Sequence, residues 1–181
     1  KIRSDYWMNK IIPLSVPSLS GNELKYVEEC IKTEWVSTAG KYVGKFEDKI
    51  AEYTNSKYAI ACVNGTSALQ LALLMSDVQN GDEVIVPTLT FIAPINAVVY
   101  NNGIPIFMDC DNYYNIDIEK TIDFIKKHTI YKNGFTYNRS TNRRIKAIIP
   151  VHIWGNAVGL DELVNVCKER NITIVEDASE S

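Results

Sequence analysis

The stretch Asn64-Gly65-Thr66-Ser67-Ala68-Leu69 decides how this chain is read. It follows a β-prone run, Tyr58–Val63, and opens a helical pattern over residues 67–76 with Leu69, Leu73 and Leu74 on one face. A strand that turns through Gly-Thr-Ser into a helix leaves the first N–H groups of that helix without intrahelical partners. Those groups, the positive end of the helix dipole and two hydroxyls make a seat for a phosphate. The same residues suit a plain helix cap, with Thr66 or Ser67 accepting from the backbone. The window alone leaves both readings open.

Downstream of this stretch the chain alternates. Glu83–Pro87 reads as a strand and 91–101 as a helix, Ile104–Asp109 as a strand and 117–127 as a helix opened by Asn115 or Asp117. Ile145–Val151, a helix over 160–170 and Ile172–Glu176 complete the series. Such alternation implies βαβ units and a mostly parallel sheet covered on both faces. The continuous apolar runs Ala147–Val151 and Ile172–Val175 suit strands buried on both sides. His128–Arg144, polar and locally basic, reads as a surface excursion. Upstream, residues 1–20 read as an N-terminal arm with Ile11–Leu14 lying on something apolar. Ser20 is placed as the cap of a helix over 21–33 striped by Leu24, Val27, Cys30 and Ile31. A second helix over 43–54 sets Phe46, Ile50 and Tyr53 at core spacing.

With 181 residues, 46% of them hydrophobic, the chain can bury one sizeable core. A net charge of −3 supplies no field that would gather nucleic acid or an anionic membrane surface. No apolar run is long enough to span a bilayer. The four cysteines, Cys30, Cys62, Cys110 and Cys167, are widely spaced and read as small buried thiols, which points to the cytoplasm. No Gly-x-Gly-x-x-Gly follows a strand, which argues against a dinucleotide-binding fold.

In parallel sheets ligands gather at the carboxyl ends of the strands. Those ends offer the Gly65-Thr66-Ser67 turn, Phe91, Asp109, His152 and the acidic run Glu176-Asp177-Ala178-Ser179-Glu180. Asp177 could cap a helix, and no second ligand stands at metal spacing, so no metal is expected there. It could also pair with a protonated heterocyclic nitrogen, as an acid does with the ring of pyridoxal phosphate (PLP). His152, taken alone, suits a core histidine bonded to backbone.

Together these motifs, with Gly81–Pro87, Thr90-Phe91, Asn96-Ala97, Pro150-Val151-His152 and Gly155, resemble the DegT/DnrJ/EryC1/StrS sugar aminotransferases. The resemblance implies an α/β/α sandwich with a mostly parallel sheet, the aspartate-aminotransferase-like (type I PLP) large domain, here incomplete. It implies that residues 1–181 are the N-terminal part of that domain, with its remainder and a small domain absent. Carried over by residue, Gly65, Thr66 and Ser67 hold the cofactor phosphate and Phe91 stacks on the ring. Asp177 pairs with the ring nitrogen and Glu180 lies near the ring hydroxyl. Trp35, Ser37, Thr38 and His152 are substrate-side residues. The Schiff-base lysine belongs to a downstream motif beyond Ser181, so no catalytic residue is expected within the chain and this segment alone is expected to be inactive.

The activity so implied moves an amino group, with glutamate as donor, to a keto carbon of a nucleotide-linked deoxysugar. The segment around Trp35–Gly40 and Glu180 points to C4 of UDP- or GDP-linked 4-keto-6-deoxy sugars, whose products feed bacterial surface glycans. The resemblance further implies a homodimer. Two other readings stand beside it: a lysine-lacking PLP or PMP sugar dehydratase, and a non-catalytic ligand-binding domain.

Overall fold

The computed structural model describes residues 15–181, so the part of the expected arm at Ile11–Leu14 lies outside the described residues. The chain divides into two compact units, the first reaching Ala61 and the second spanning Cys62–Ser181.

Among its described residues the first unit holds two helices, α1 (Glu23–Lys32) and α2 (Lys41–Thr54). Neither contains a buried residue, although both carry apolar stripes. Phe46, Ile50 and Tyr53 are all exposed, which corrects the expectation of core spacing in α2, and Leu24, Val27 and Ile31 of the α1 stripe are exposed with them. The stripes instead line an apolar groove, with Tyr26 and Tyr42 in ring contact at 5.0 Å across it. Periodicity announces a face in need of cover and says nothing of what covers it. Ser20 does not cap α1: Asn22 occupies the cap position without a side-chain bond, and Gly21 N donates to Glu23 Oε2 at 2.8 Å.

The second unit begins with α3 (Gly65–Met75), followed by β1 (Glu83–Pro87), α4 (Ile92–Tyr100), β2 (Ile104–Met108) and α5 (Ile118–His128). Then come β3 (Thr129–Lys132), β4 (Phe135–Asn138), β5 (Arg144–Ile148), a 3-10 turn at Ile153–Gly155, α6 (Asp161–Glu169) and β6 (Thr173–Ile174). The strands form one sheet in the order β2-β1-β5-β4-β3, with β6 also on β5. The β1–β2, β1–β5 and β5–β6 pairs are parallel, and the other two are antiparallel.

Alternation along β1 splits the core. Val84 and Val86 pack with Leu69 and Leu73 of α3 and Ala97 and Val98 of α4. Ile85 faces the opposite side, with Ile122 and Ile125 of α5 and Leu163 and Val166 of α6. The unit is therefore an α/β/α sandwich, as its βαβ spacing implies. Leu74 departs from its expected face and is 58% exposed, because five residues along a helix is nearly a turn and a half and carries it off the stripe.

Three further readings need correction. Tyr58–Val63 belongs to no strand of the sheet, and Tyr58, Ile60 and Val63 are exposed. β-propensity in a run cannot supply the neighbour that makes a strand. The supposed excursion His128–Arg144 is the β3–β4 hairpin, turned by Asn133 and Gly134 at φ 54° and 83° and added antiparallel to β5. Cys62 is exposed and Cys30 and Cys110 half-buried, which leaves Cys167 as the buried thiol. No helix among the described residues is long and apolar enough to cross a membrane.

Candidate functional site

The carboxyl ends of β1, β5 and β6 share one edge, because these strands are parallel. Past its two-residue ladder β6 continues extended: Val175 N donates to Ile148 O at 2.9 Å and Asp177 N to Pro150 O at 2.9 Å. A bridge between Val151 and Asp177 closes the run, and His152 N donates to Asp177 O at 3.1 Å. This register carries Asp177 and His152 to the same edge, both 7% exposed.

Asp177 is a buried carboxylate with its two oxygens treated differently. Oδ1 accepts from Ser179 N at 3.1 Å and from Ser179 Oγ at 2.5 Å. Oδ2 has no hydrogen-bond donor among the described residues. Unlike Thr90 Oγ1, Asp177 Oδ2 is not a buried unpaired atom, so it stands open at the site edge and can accept from a donor that arrives there. That donor position suits a protonated ring nitrogen.

The start of α3 stands beside it. At the start of α3 the side chain of Asn64 accepts from Ser67 N at 2.9 Å, so the cap is Asn64 and not Thr66 or Ser67. The hydroxyls of Thr66 and Ser67 are thus spared from capping their own helix. A Cβ built on Gly65 would stand 3.2 Å from Ser179 Oγ, so the helix N-terminus and the Asp177 turn meet there. The cap and phosphate readings of this stretch are therefore compatible, because different atoms serve them.

Phe91 sits at the cap position of α4, just past β1, and is 71% exposed. A ring of that size standing in solvent at a strand end is available for stacking. Beside it, Thr90 Oγ1 is buried with no hydrogen-bond partner among the described residues. An orphaned buried hydroxyl, an open carboxylate oxygen and a helix start with two uncommitted hydroxyls together fit a flat, phosphorylated, nitrogen-bearing cofactor such as PLP.

His152 has both ring nitrogens engaged. Nδ1 accepts from Val158 N at 3.0 Å, so the proton is on Nε2, which donates to Glu176 Oε2 at 3.1 Å. Its backbone-bonded ring matches the core-histidine reading, while its place keeps it at the site edge. Glu180 accepts from Trp154 N. Trp154 and Gly155 adopt positive φ, 52° and 80°, and a Cβ on Gly155 would lie 3.1 Å from Glu180 O. Asp109, at the end of β2, is exposed, and Lys120 Nζ at 2.9 Å holds its carboxyl below the usual range. It is a surface ion pair.

Trp35, Ser37 and Thr38 belong to the first unit and are exposed there. Trp35 and Ser37 line a cavity of about 500 Å³ with Glu29, Gly40 and Tyr42. Tyr42 donates to Glu29 Oε2 at 2.6 Å, which pushes the phenol up to about 12. Sequence reading quotes Ser179 and Thr90 inside motifs and Asn115 as a helix opener, but gives none of them a role at this edge. Asn115 is 5% exposed; its Oδ1 accepts from Ile153 N and its Nδ2 donates to Asn156 O, both at 3.2 Å, which fastens the turn that follows His152. A polar residue two positions past a functional acid is a legible signal for Ser179, since Asp carboxylates commonly accept from that N–H.

A mostly parallel α/β/α sandwich of this order is the type I PLP aminotransferase fold class. The match of residues 17–181 to the model of the DegT/DnrJ/EryC1/StrS aminotransferase family shows that the chain belongs to that family. It is 40% identical over 172 residues to the GDP-perosamine synthase of Escherichia coli O157:H7, covering 95% of this chain and 43% of that one. The X-ray structure of an aminotransferase from Psychrobacter cryohalolentis matches 93% of this chain and 40% of its own, with TM-score 0.78 and 32% identity. The GDP-4-keto-6-deoxy-D-mannose-3-dehydratase of E. coli, with bound hydrated PLP, matches at TM-score 0.76 and 26% identity over 93% of this chain and 41% of its own. The chain thus spans about two fifths of the length of the relatives it matches.

Proposed function

We propose that this chain is the N-terminal part of the cofactor-binding large domain of a PLP-dependent sugar aminotransferase. The complete protein moves an amino group from glutamate to the C4 keto carbon of a nucleotide-linked 4-keto-6-deoxy sugar, for bacterial surface glycan. The observation that carries the reading is the meeting of Gly65 with the Asp177 turn, 3.2 Å from a Gly65 Cβ to Ser179 Oγ. It supports a phosphate seat at the start of α3 beside the Asp177 carboxylate and its open oxygen. The 40% identity to a GDP-perosamine synthase supports the substrate class.

Bound PLP supplies an electron sink for bond changes at the carbon bearing the amine. The chain's own residues hold and orient it. Thr66 and Ser67, with the α3 N-terminus, bind the phosphate dianion, which the helix dipole favours. Asp177 Oδ2 accepts from the ring N–H and keeps that nitrogen protonated, because an adjacent carboxylate favours the charged form. Phe91 covers one ring face and excludes water from it. Glu180 lies toward the ring hydroxyl, anchored by Trp154 N. Trp35, Ser37, Thr38 and His152 serve the substrate side, and we place the protein in the cytoplasm as a homodimer.

The test is to supply the complete protein with glutamate and UDP- or GDP-linked 4-keto-6-deoxy sugars and to analyse products by mass spectrometry. An amino sugar is expected, and its absence from every pairing overturns the assignment. The likeness to the E. coli 3-dehydratase keeps dehydration as the second reading. A product that has lost its C3 oxygen instead of gaining nitrogen would decide for it.

A further inference from the structure

We infer that Ser179 is a positioning residue, which sets the Asp177 carboxylate for the cofactor's ring nitrogen and joins that acid to the phosphate seat. The inference rests on the PLP reading proposed above and deepens it.

Three observations meet at this side chain. Ser179 donates twice to one oxygen, Asp177 Oδ1, through N at 3.1 Å and Oγ at 2.5 Å. A carboxylate with both bonds on one oxygen cannot rotate about its last side-chain torsion without losing them. Oδ2 is therefore held in one direction with no donor among the described residues. Second, Ser179 Oγ stands 3.2 Å from where a Cβ on Gly65 would be. The hydroxyl lies between the acid and the first residue of α3, so the parts that would hold the two ends of the cofactor are adjacent. A larger residue at 65 would press on the hydroxyl that orients Asp177. Third, the next residue is clamped: Glu180 accepts from Trp154 N, and its carbonyl lies 3.1 Å from a Cβ on Gly155. The Asp177–Glu180 turn is thus tied at its far end to the turn after His152. Ser179 is exposed, so its hydroxyl is not needed to fill the core. Precise placement of a charged partner is worth most when it is organised before the ligand arrives.

The test uses the complete protein and three ligands: PLP, the analogue in which carbon replaces the ring nitrogen, and pyridoxal without its phosphate. Ser179→Ala is expected to weaken PLP on the order of tenfold, the worth of one such hydrogen bond. The ring-carbon analogue should bind the variant and the parent equally, and pyridoxal should show the same loss as PLP. Ser179→Thr, which keeps the hydroxyl, should restore affinity. Ser179→Cys, a weak donor of similar volume, should behave like the alanine variant and guards against a packing effect. Unchanged PLP affinity in Ser179→Ala overturns the inference, as does an equal loss with the ring-carbon analogue. A loss confined to phosphorylated ligands assigns the hydroxyl to the phosphate and also overturns it. Failure of the parent protein to bind PLP sinks the cofactor reading itself, a separate outcome.

Discussion

The sheet of the second unit carries buried carboxylates at both of its ends, and the two ends are finished differently. At the amino end, Glu83 is 2% exposed, and both its oxygens are served: Oε2 accepts from Asn138 Nδ2 at 2.9 Å and Oε1 from Thr141 Oγ1 at 2.6 Å. Next to it Asp82 is paired with Arg144, whose side chain is 16% exposed and whose Nε donates to Oδ1 at 2.9 Å. At the carboxyl end, Asp177 has one oxygen served and one open, and Thr90 Oγ1 is buried without a partner among the described residues. Polar groups that only hold a fold are satisfied within it. Polar groups left open at an edge, where loops meet a rigid sheet, are available to whatever binds there.

This contrast predicts that changes at the amino end cost stability and changes at the carboxyl end cost ligand. The largest effect on folding is expected from Arg144→Met. It strands the buried Asp82 carboxylate and should lower unfolding free energy by about 3 kcal/mol, read by denaturant titration. A neutral result there would erase the difference between the ends. Asp177→Asn should do the reverse. It should weaken PLP binding on the order of a hundredfold, because a charged acceptor becomes a neutral one, while the melt without cofactor stays the same or rises. A large fall in stability would show that Asp177 is structural. Gly65→Ala should reduce PLP affinity a few-fold, on the order of 1 kcal/mol, since the new methyl crowds Ser179 Oγ and not the core. Phe91→Ala should change stability by less than about 0.5 kcal/mol, because the ring is mostly exposed, yet cost roughly 1 kcal/mol of cofactor stacking.

The last effect is absent near neutral pH, appears only in alkali and belongs to the core between the ends. Burial pushes the Cys167 thiol from its ordinary 9.0 up to about 12. A raised folded-state value means that its contribution to stability is complete below pH 9 and is lost as pH rises from there toward 12. Alkylation of Cys167 at pH 8 should therefore wait for unfolding by denaturant. Prompt labelling of the native protein would place that thiol outside the core.

Much of this fold was legible in the chain, and the failures share a cause. The strand Glu83–Pro87 has the same bounds in the structure, and Asp117 caps α5 by accepting from Lys120 N at 2.9 Å. Both are local matters, a buried apolar run and a cap one turn long. Tyr58–Val63 has the propensity of a strand but no place in the sheet. The hairpin over Thr129–Asn138 was hidden by its polar composition, although Asn133-Gly134 between two β-prone runs is a hairpin turn signal. The apolar stripes of α1 and α2 are legible in the sequence, but the core spacing it gives α2 corresponds to no buried residue. In each case the missing information was the neighbour.

The sequence by itself determined the layered α/β plan, the order of its helices and parallel strands from Glu83 onward, and the family, because periodicity, turns and motif spacing are written along the chain. It also named the residues at the strand ends. Only the tertiary structure decided which atoms of those residues are spent and which are open. Asn64, not Thr66 or Ser67, caps α3; His152 has both nitrogens bonded; Asp177 holds one oxygen toward Ser179 and keeps the other free of donors among the described residues. Hydrogen bonds saturate atom by atom, in three dimensions, and no spacing along a chain records which lone pair has been used.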